Sequence, residues 1–383
     1  MKVLFNSTTN IVGGGVKNSA IFIKHACHYP EIDWLFVVSK PVKEILERWK
    51  IEDARIRLFP HSPSRNMEAR RRLAMLTHQH SVDIVYTMAG PAYTKFPVTH
   101  IMGISNPYIT HGSREAFILN RNAKHFFNIV ISVLYQAFYA SKADYWIFQT
   151  EAARNSFIKR FRVKRDKTYV ITNSIGDEFI KYFMKRPFHT VSSNQPINIF
   201  CPAADYWHKA LNFIPDIAME LKKISSSSNY TFKFTLTLKK DSNIWKTINK
   251  KSLKKGITHL IDNIGPYTYA DAITLFEQAD IVFVPSILET FSASYLEAFA
   301  SKRPLIVSDR DFAHDICGNG ALYVNPFDTV ETAASIHELI LDKRKQATLL
   351  KDALEKLKKY GTQTERVKKI INLIELLHAK GKH

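Results

Sequence analysis

Short apolar, β-branched runs alternate along this chain with longer segments of helical spacing, a pattern that predicts parallel sheets wound by helices. In the first half the strand pattern falls at 2–6, 34–39, 57–59, 84–87, 98–103, 145–149 and 168–172. Helical spacing occupies 16–28, 42–49, 64–79, a long stretch over 114–141, and 151–161. The segment 183–196 has two prolines and little periodicity, and reads as a linker. Beyond it, strands are expected at 197–201, 231–238, 259–263, 281–285, 305–308 and 322–324, with helices at 211–224 and 292–301 and a serine loop at 225–229. The lysine-rich stretch 239–255 reads as a solvated helix face. Three helices alternating charge and leucine, at 329–343, 345–360 and 362–380, close the chain.

A chain of 383 residues suits two domains, 1–185 and 195–360. Its 45% hydrophobic and 23% charged residues are the balance of a soluble globular protein. Cys27, Cys201 and Cys317 are too far apart in sequence to form a metal-ligand pattern, and read as reduced, buried thiols of a cytoplasmic protein. Charge changes the picture more. Residues 1–190 carry 28 Lys/Arg against 14 Asp/Glu, whereas residues 191–383 carry 26 against 21. A basic first half calls for an anionic partner. No nucleic-acid motif accompanies it, so an anionic membrane surface or lipid-linked phosphate is expected and nucleic acid is not. Val3-Leu-Phe is too short for a signal core, and no run reaches the roughly 18–20 apolar residues that span a bilayer.

Candidate chemistry gathers around 280–298. The apolar run after Asp280 is a buried parallel strand, and the helix that follows begins near Ser292. Glu289 stands just before that helix and Glu297 eight residues later. Two carboxylates for hydroxyls, with free first-turn N–H groups for phosphate, suit a sugar nucleotide. Gly13-Gly14-Gly15 follows the first strand, where backbone can approach a ligand without Cβ obstruction, but it is not the dinucleotide fingerprint, since Asn18 holds the third glycine position. Lys209 falls between a strand and a helix, where an ammonium can neutralise a diphosphate. The segment 124–140 is apolar apart from Lys124, Asn128, Ser132 and Gln136, which draw one polar stripe. It is either a helix buried between sheet and neighbour or an interfacial helix with Arg114, Arg121, Lys124 and Lys142 at its ends.

The Glu289–Glu297 spacing resembles the paired-glutamate motif of retaining glycosyltransferases of the GT-B fold, family 4 (glycosyl transferases group 1). Met1-Lys-Val-Leu-Phe-Asn with the triple glycine, Tyr169-Val-Ile-Thr-Asn-Ser-Ile, His208-Lys-Ala and Lys302-Arg-Pro-Leu-Ile-Val-Ser-Asp resemble its other segments, in order, over about residues 1–340. The resemblance implies two Rossmann-like doubly wound α/β domains facing across a cleft, the helix at about 362–383 crossing back to the first. That crossing would add Arg366, Lys368 and Lys369 to the basic half. The first domain would take the acceptor and the second the nucleotide sugar. Glu289 would contact the transferred sugar, Glu297 the ribose, and Lys209 the diphosphate, with Gly14, Gly15, His208, Phe291, Ser292 and Ala293 lining the donor. Many relatives place a histidine after the strand ending near Gly103, and His111 or Asn106 is its counterpart here. Two departures stand out. Ala204 replaces the usual arginine, leaving His208 or an arginine from elsewhere to supply that charge, and Ser292 replaces a glycine. The family implies no divalent metal and no cofactor, with a UDP- or GDP-sugar as donor. The expected activity is retaining transfer to a lipid-linked or oligosaccharide acceptor in bacterial lipopolysaccharide, O-antigen or other surface polysaccharide synthesis, at the cytoplasmic membrane face. A soluble transferase, a nucleotide-sugar epimerase of the same fold and an inactive scaffold are the alternatives.

Overall fold

The computed structural model describes residues 1–119, 123–191, 196–228 and 230–381, with backbone alone for 123–125 and Tyr269. Arg121, positions 192–195 of the expected linker and Asn229 lie outside the described residues, as does the Lys124 side chain. The chain divides into two compact units: Met1–Gly112, Asn122–Asn173 and Gln363–His383 form one, Ser113–Arg121 and Ser174–Thr362 the other.

The elements of the first half run β1 (Lys2–Ser7), α1 (Gly14–Ala26), β2 (Asp33–Val38), α2 (Lys40–Arg48), β3 (Ile56–Leu58), α3 (Met67–Gln79), β4 (Ile84–Gly90), β5 (Thr99–Ile104), α4 (Pro107–His111), α5 (Arg114–Ile118), α6 (Ala123–Ala140), β6 (Tyr145–Phe148), α7 (Glu151–Phe161) and β7 (Thr168–Val170). All but α5 belong to the first unit. The strands form a parallel sheet in the order β3-β2-β1-β4-β5-β6-β7. Because side chains alternate along a strand, Val3 and Phe5 enter one core and Leu4 the other. Phe5, Phe22, Phe36 and Tyr86 pack ring on ring in the first of these cores. The long helix expected over 114–141 is two helices, α5 and α6. Residues 107–111, which carried no helical signal, form α4 because Asn106 caps its start and Pro107 opens its first turn.

The second half runs α8 (Asp177–Met184), β8 (Ile197–Cys201), α9 (Ile214–Ser225), β9 (Phe232–Leu236), α10 (Asn243–Lys254), β10 (Ile261–Asn263), α11 (Tyr269–Gln278), β11 (Ile281–Val284), α12 (Ala293–Ala300), β12 (Leu305–Ser308), α13 (Asp311–Cys317), β13 (Leu322–Val324), α14 (Thr329–Leu341), α15 (Lys343–Leu357) and α16 (Gln363–Lys380). The second sheet is also parallel, in the order β10-β9-β8-β11-β12-β13. The second unit begins at Ser174, ahead of the expected linker, because Phe179 and Phe183 of α8 are buried and Phe179 meets Phe276 edge-on. The last helix belongs to the first unit, where Val367, Ile370, Ile371, Ile374 and Leu377 join the core beside β1. Arg366 does not add to the basic surface as expected: it is buried, and that burial lowers its pKa, partly offset by the Tyr86 phenol. Lys368 and Lys369 are exposed. Cys201 and Cys317 are buried, Cys27 half-buried, and all three are free thiols.

Candidate active site

Parallel sheets present ligand crevices beyond the carboxyl ends of their strands, where the strand order reverses. In the second unit that point lies between β8 and β11. After β8 the chain makes a tight turn over Trp207–Lys209, ended by Ala210 at a φ of 54°, a left-handed conformation uncommon for a residue with a side chain. After β11 it runs through Glu289 into α12. The two loops are tied by the Ile287 N–H, which donates to the His208 carbonyl at 2.9 Å. This tie brings Lys209 to Glu289: the ammonium donates to the carboxylate, with the two side chains only 14 and 10% exposed.

Several groups around this pair are built for polar company. Ser292, at the start of α12, makes no side-chain cap, and the first turn holds no acidic residue, so its N–H groups keep the positive helix end open to an anion. Glu297 is buried in the next turn. Burial pushes the Tyr267 phenol pKa up, and the Glu297 charge pushes it further. The Tyr295 hydroxyl is buried with no hydrogen-bond partner; its pKa is raised well above the ordinary value by burial and then by Glu289. Ser286 Oγ and Ser308 Oγ, at the carboxyl ends of β11 and β12, are buried without partners as well. Leaving a buried hydroxyl unpaired costs about 1–3 kcal/mol, and these three, with Ser174 Oγ, are the hydroxyls so placed among the described residues of this unit. None of the three was singled out in the sequence. Their signal was position: two are serines at the ends of apolar strands.

The expected site residues have neighbours of their own here. Burial lowers the His208 imidazole pKa to about 4, which disfavours the cation that would stand in for the missing arginine. Its ring stacks on Tyr206 instead, at 5.3 Å. Phe291 turns its ring edge-on to Tyr360, at 5.9 Å. Ser292 and Ala293 do stand at the open helix end. Finally, the chain does contain one Asp-x-Asp spacing, Asp309-Arg310-Asp311, which the expectation of no metal had passed over. Asp309 pairs with His314 Nε2 at 2.6 Å, and among the described residues no three His, Cys, Asp or Glu side chains converge.

In the first unit the reversal lies between β1 and β4, and the glycine loop leaves that point. Gly13 has a φ of 70°, which favours glycine, and Gly14 and Gly15 open α1. A Cβ on Gly15 would meet Ala89 and Asn10 at 3.4 Å, whereas one on Gly14 would meet nothing within 4 Å. Asn10 holds the loop by donating to Ser19 Oγ at 2.8 Å and to the Met88 carbonyl at 2.9 Å. His111 ends α4 with its Nδ1 2.8 Å from Thr110 Oγ1. Asn106 is committed elsewhere: its Oδ1 accepts from the Tyr108 N–H at 3.0 Å and its Nδ2 donates to Gln136 at 2.8 Å. The Arg160 guanidinium, unmarked in the sequence, donates to the Tyr108 and Ile109 carbonyls, both at 2.7 Å.

Comparison with known proteins agrees with this architecture. Residues 241–364 match the family model of the glycosyl transferases group 1. The O-antigen chain mannosyltransferase RfbU of Salmonella typhimurium is 28% identical over 196 residues, which are 49% of this chain and 48% of that protein. The match therefore spans about half the length of that curated relative. A glycosyltransferase from Rickettsia africae superposes over 98% of this chain and 97% of its own, with a TM-score of 0.69 and 16% identity. Anabaena Alr3699/HepE, solved with UDP-glucose, superposes over 98 and 99% with a TM-score of 0.69 and 14% identity. The chain thus has the GT-B fold, two parallel-sheet Rossmann-like domains, and its residues 241–364 are similar to the glycosyl transferases group 1.

Proposed function

We propose that the chain transfers a sugar from a nucleotide-sugar donor, a UDP- or GDP-sugar, to an acceptor hydroxyl, with retention of configuration. The observation that carries this reading is the Lys209–Glu289 pair at the strand reversal of the second unit, beside the open start of α12. Lys209 and those N–H groups would balance the departing diphosphate without a divalent metal. Glu289 would hold hydroxyls of the transferred sugar and Glu297 the ribose. HepE, a structural neighbour, was solved with UDP-glucose, which supports a nucleotide sugar as the class of donor. The similarity to an O-antigen chain mannosyltransferase supports an acceptor of bacterial surface polysaccharide synthesis, which the proposal takes to be lipid-linked. The basic first half supports a peripheral place on an anionic membrane. Among the described residues no helix is long and apolar enough to cross one.

A thermal-shift panel of UDP-, GDP-, ADP- and dTDP-sugars tests the donor. A true donor at about 100 times its Kd should add about 2.7 kcal/mol of stability, and Glu297→Ala should remove most of that gain. Indifference to all four classes would end the proposal.

A further inference from the structure

Helix α6 presents its apolar side chains to water. Among its described residues only Ala140 is buried, so it is not the helix between sheet and neighbour that one sequence reading allowed. Phe127, Ile131, Leu134 and Phe138 are 63, 65, 66 and 56% exposed. Their spacing of four, three and four residues draws one stripe, about 16 Å long at 1.5 Å per residue. Tyr135 stands at its edge, half exposed. The helix is fastened by the Tyr93 ring against Tyr135 and Tyr139 and by polar contacts. The Arg70 guanidinium donates to the Tyr135 and Tyr139 hydroxyls, Asn106 donates to Gln136 at 2.8 Å, and Trp146 Nε1 donates to the Ala140 carbonyl at 2.8 Å. A surface helix of a water-soluble protein has the opposite arrangement, with its apolar stripe turned to the core.

The sequence around α6 is cationic. Between positions 84 and 143 Glu115 is the sole acidic residue, against Lys95, Arg114, Arg121, Lys124 and Lys142, and Glu115 is paired with Arg310 at 2.9 Å. The Lys142 ammonium lies 4.4 Å over the Phe138 ring, at one end of the stripe. Such a lysine can lay its stem along apolar surface while its charge stays in the headgroup layer.

We propose that this stripe inserts into the headgroup and upper acyl layer of an anionic bilayer, with α6 lying in the plane of the membrane. A second copy of the chain suits the face poorly. Residues 1–190 carry 28 Lys/Arg against 14 Asp/Glu, so pairing two such faces would bring like charges together. The proposal rests on the membrane part of the function above, and its test separates the two.

Wild type and the variant Phe127→Ser/Ile131→Ser/Leu134→Ser/Phe138→Ser are compared by cosedimentation with phosphatidylglycerol–phosphatidylcholine vesicles. Because all four positions face water, the melting temperature and donor binding of the variant should match wild type. Its vesicle partitioning should fall at least about tenfold. In a second variant, Ile131→Trp, tryptophan emission should shift to the blue on adding vesicles and be quenched by brominated lipid. If wild type and the serine variant partition equally, the stripe is not the inserting element, although the membrane reading stands. If wild type binds no vesicles, both fall, while donor binding still tests the glycosyl transfer on its own. If the serine substitutions turn a dimer into a monomer and leave vesicle binding intact, the face is an interface between copies. An Ile131→Trp emission unmoved by vesicles overturns the proposal even if the serine variant does not fold.

Discussion

Lys209 and Glu289 neutralise each other across their ion pair, and on the proposed reading a donor would draw them apart. The lysine would then turn to phosphate and the carboxylate to hydroxyls of the same ligand. Two consequences can be measured. Lys209→Ala leaves Glu289 buried beside a lost partner and should destabilise the empty protein by about 1–3 kcal/mol. Adding Glu289→Ala should return part of that loss, because neighbouring effects are not additive. In turnover the ranking differs: Glu289→Ala should lower kcat by about 100-fold or more, because its contacts tighten on the reacting sugar. Glu297→Ala should mainly raise the donor KM, because the ribose does not react. Lys209→Ala should be severe, since Ala204 offers no second cation and burial disfavours one at His208. Equal kinetics in the two glutamate variants, with folding intact, would remove the paired-glutamate reading. The meeting of Lys209 and Glu289 was partly legible because each follows the carboxyl end of its strand, where the strand order reverses. Tyr295 was not, because an aromatic at helical spacing looks like core until its hydroxyl is found without a partner.

At the scale of elements, legibility followed length and burial. Strands such as β1, β8 and β11 are continuous apolar runs closed by turn residues, and their bounds agree with expectation to within a residue. Two of the misses, α8 and α4, are short or sit in misleading composition. α8 shares its last residues with a Pro-containing stretch, and only Phe179 and Phe183, four apart, mark its buried face. α4 spans five residues, too few for a period, and exists through its ends. Asn106 caps one end, and the Arg160 guanidinium satisfies carbonyls at the other. That arrangement separates the two candidates for the place near the reaction. Asn106→Ala should behave as a lost cap, costing about 1 kcal/mol of stability (range roughly 0.5–2) with kcat nearly unchanged. His111→Ala should lower kcat without a comparable stability loss. A collapse of kcat in Asn106→Ala at unchanged stability would reverse the assignment and make the amide, not the imidazole, the group at the site.

Across the whole molecule, charge and apolar exposure are concentrated in the same half of the sequence. Residues 1–190 hold a twofold excess of Lys/Arg over Asp/Glu, and α6 lies among them. The two features respond differently to salt, which gives the final test. Raising ionic strength from about 0.05 to about 0.5 M shortens the screening length from roughly 14 to roughly 4 Å, so attraction between exposed lysines and anionic lipid should largely vanish. Burial of apolar side chains depends on water rather than on ionic strength over this range. Wild-type binding to anionic vesicles should therefore fall steeply with salt to a residual level, and neutral vesicles should show only that residue. The proposed donor site supplies an internal control, since its Lys209–Glu289 pair is mostly buried and therefore screened much less. Donor-induced stabilisation should persist at the salt that releases the vesicles. Binding that ignores salt would remove the electrostatic contribution and leave α6 to act alone. Binding to neither vesicle would return the basic half to an acceptor role without a membrane.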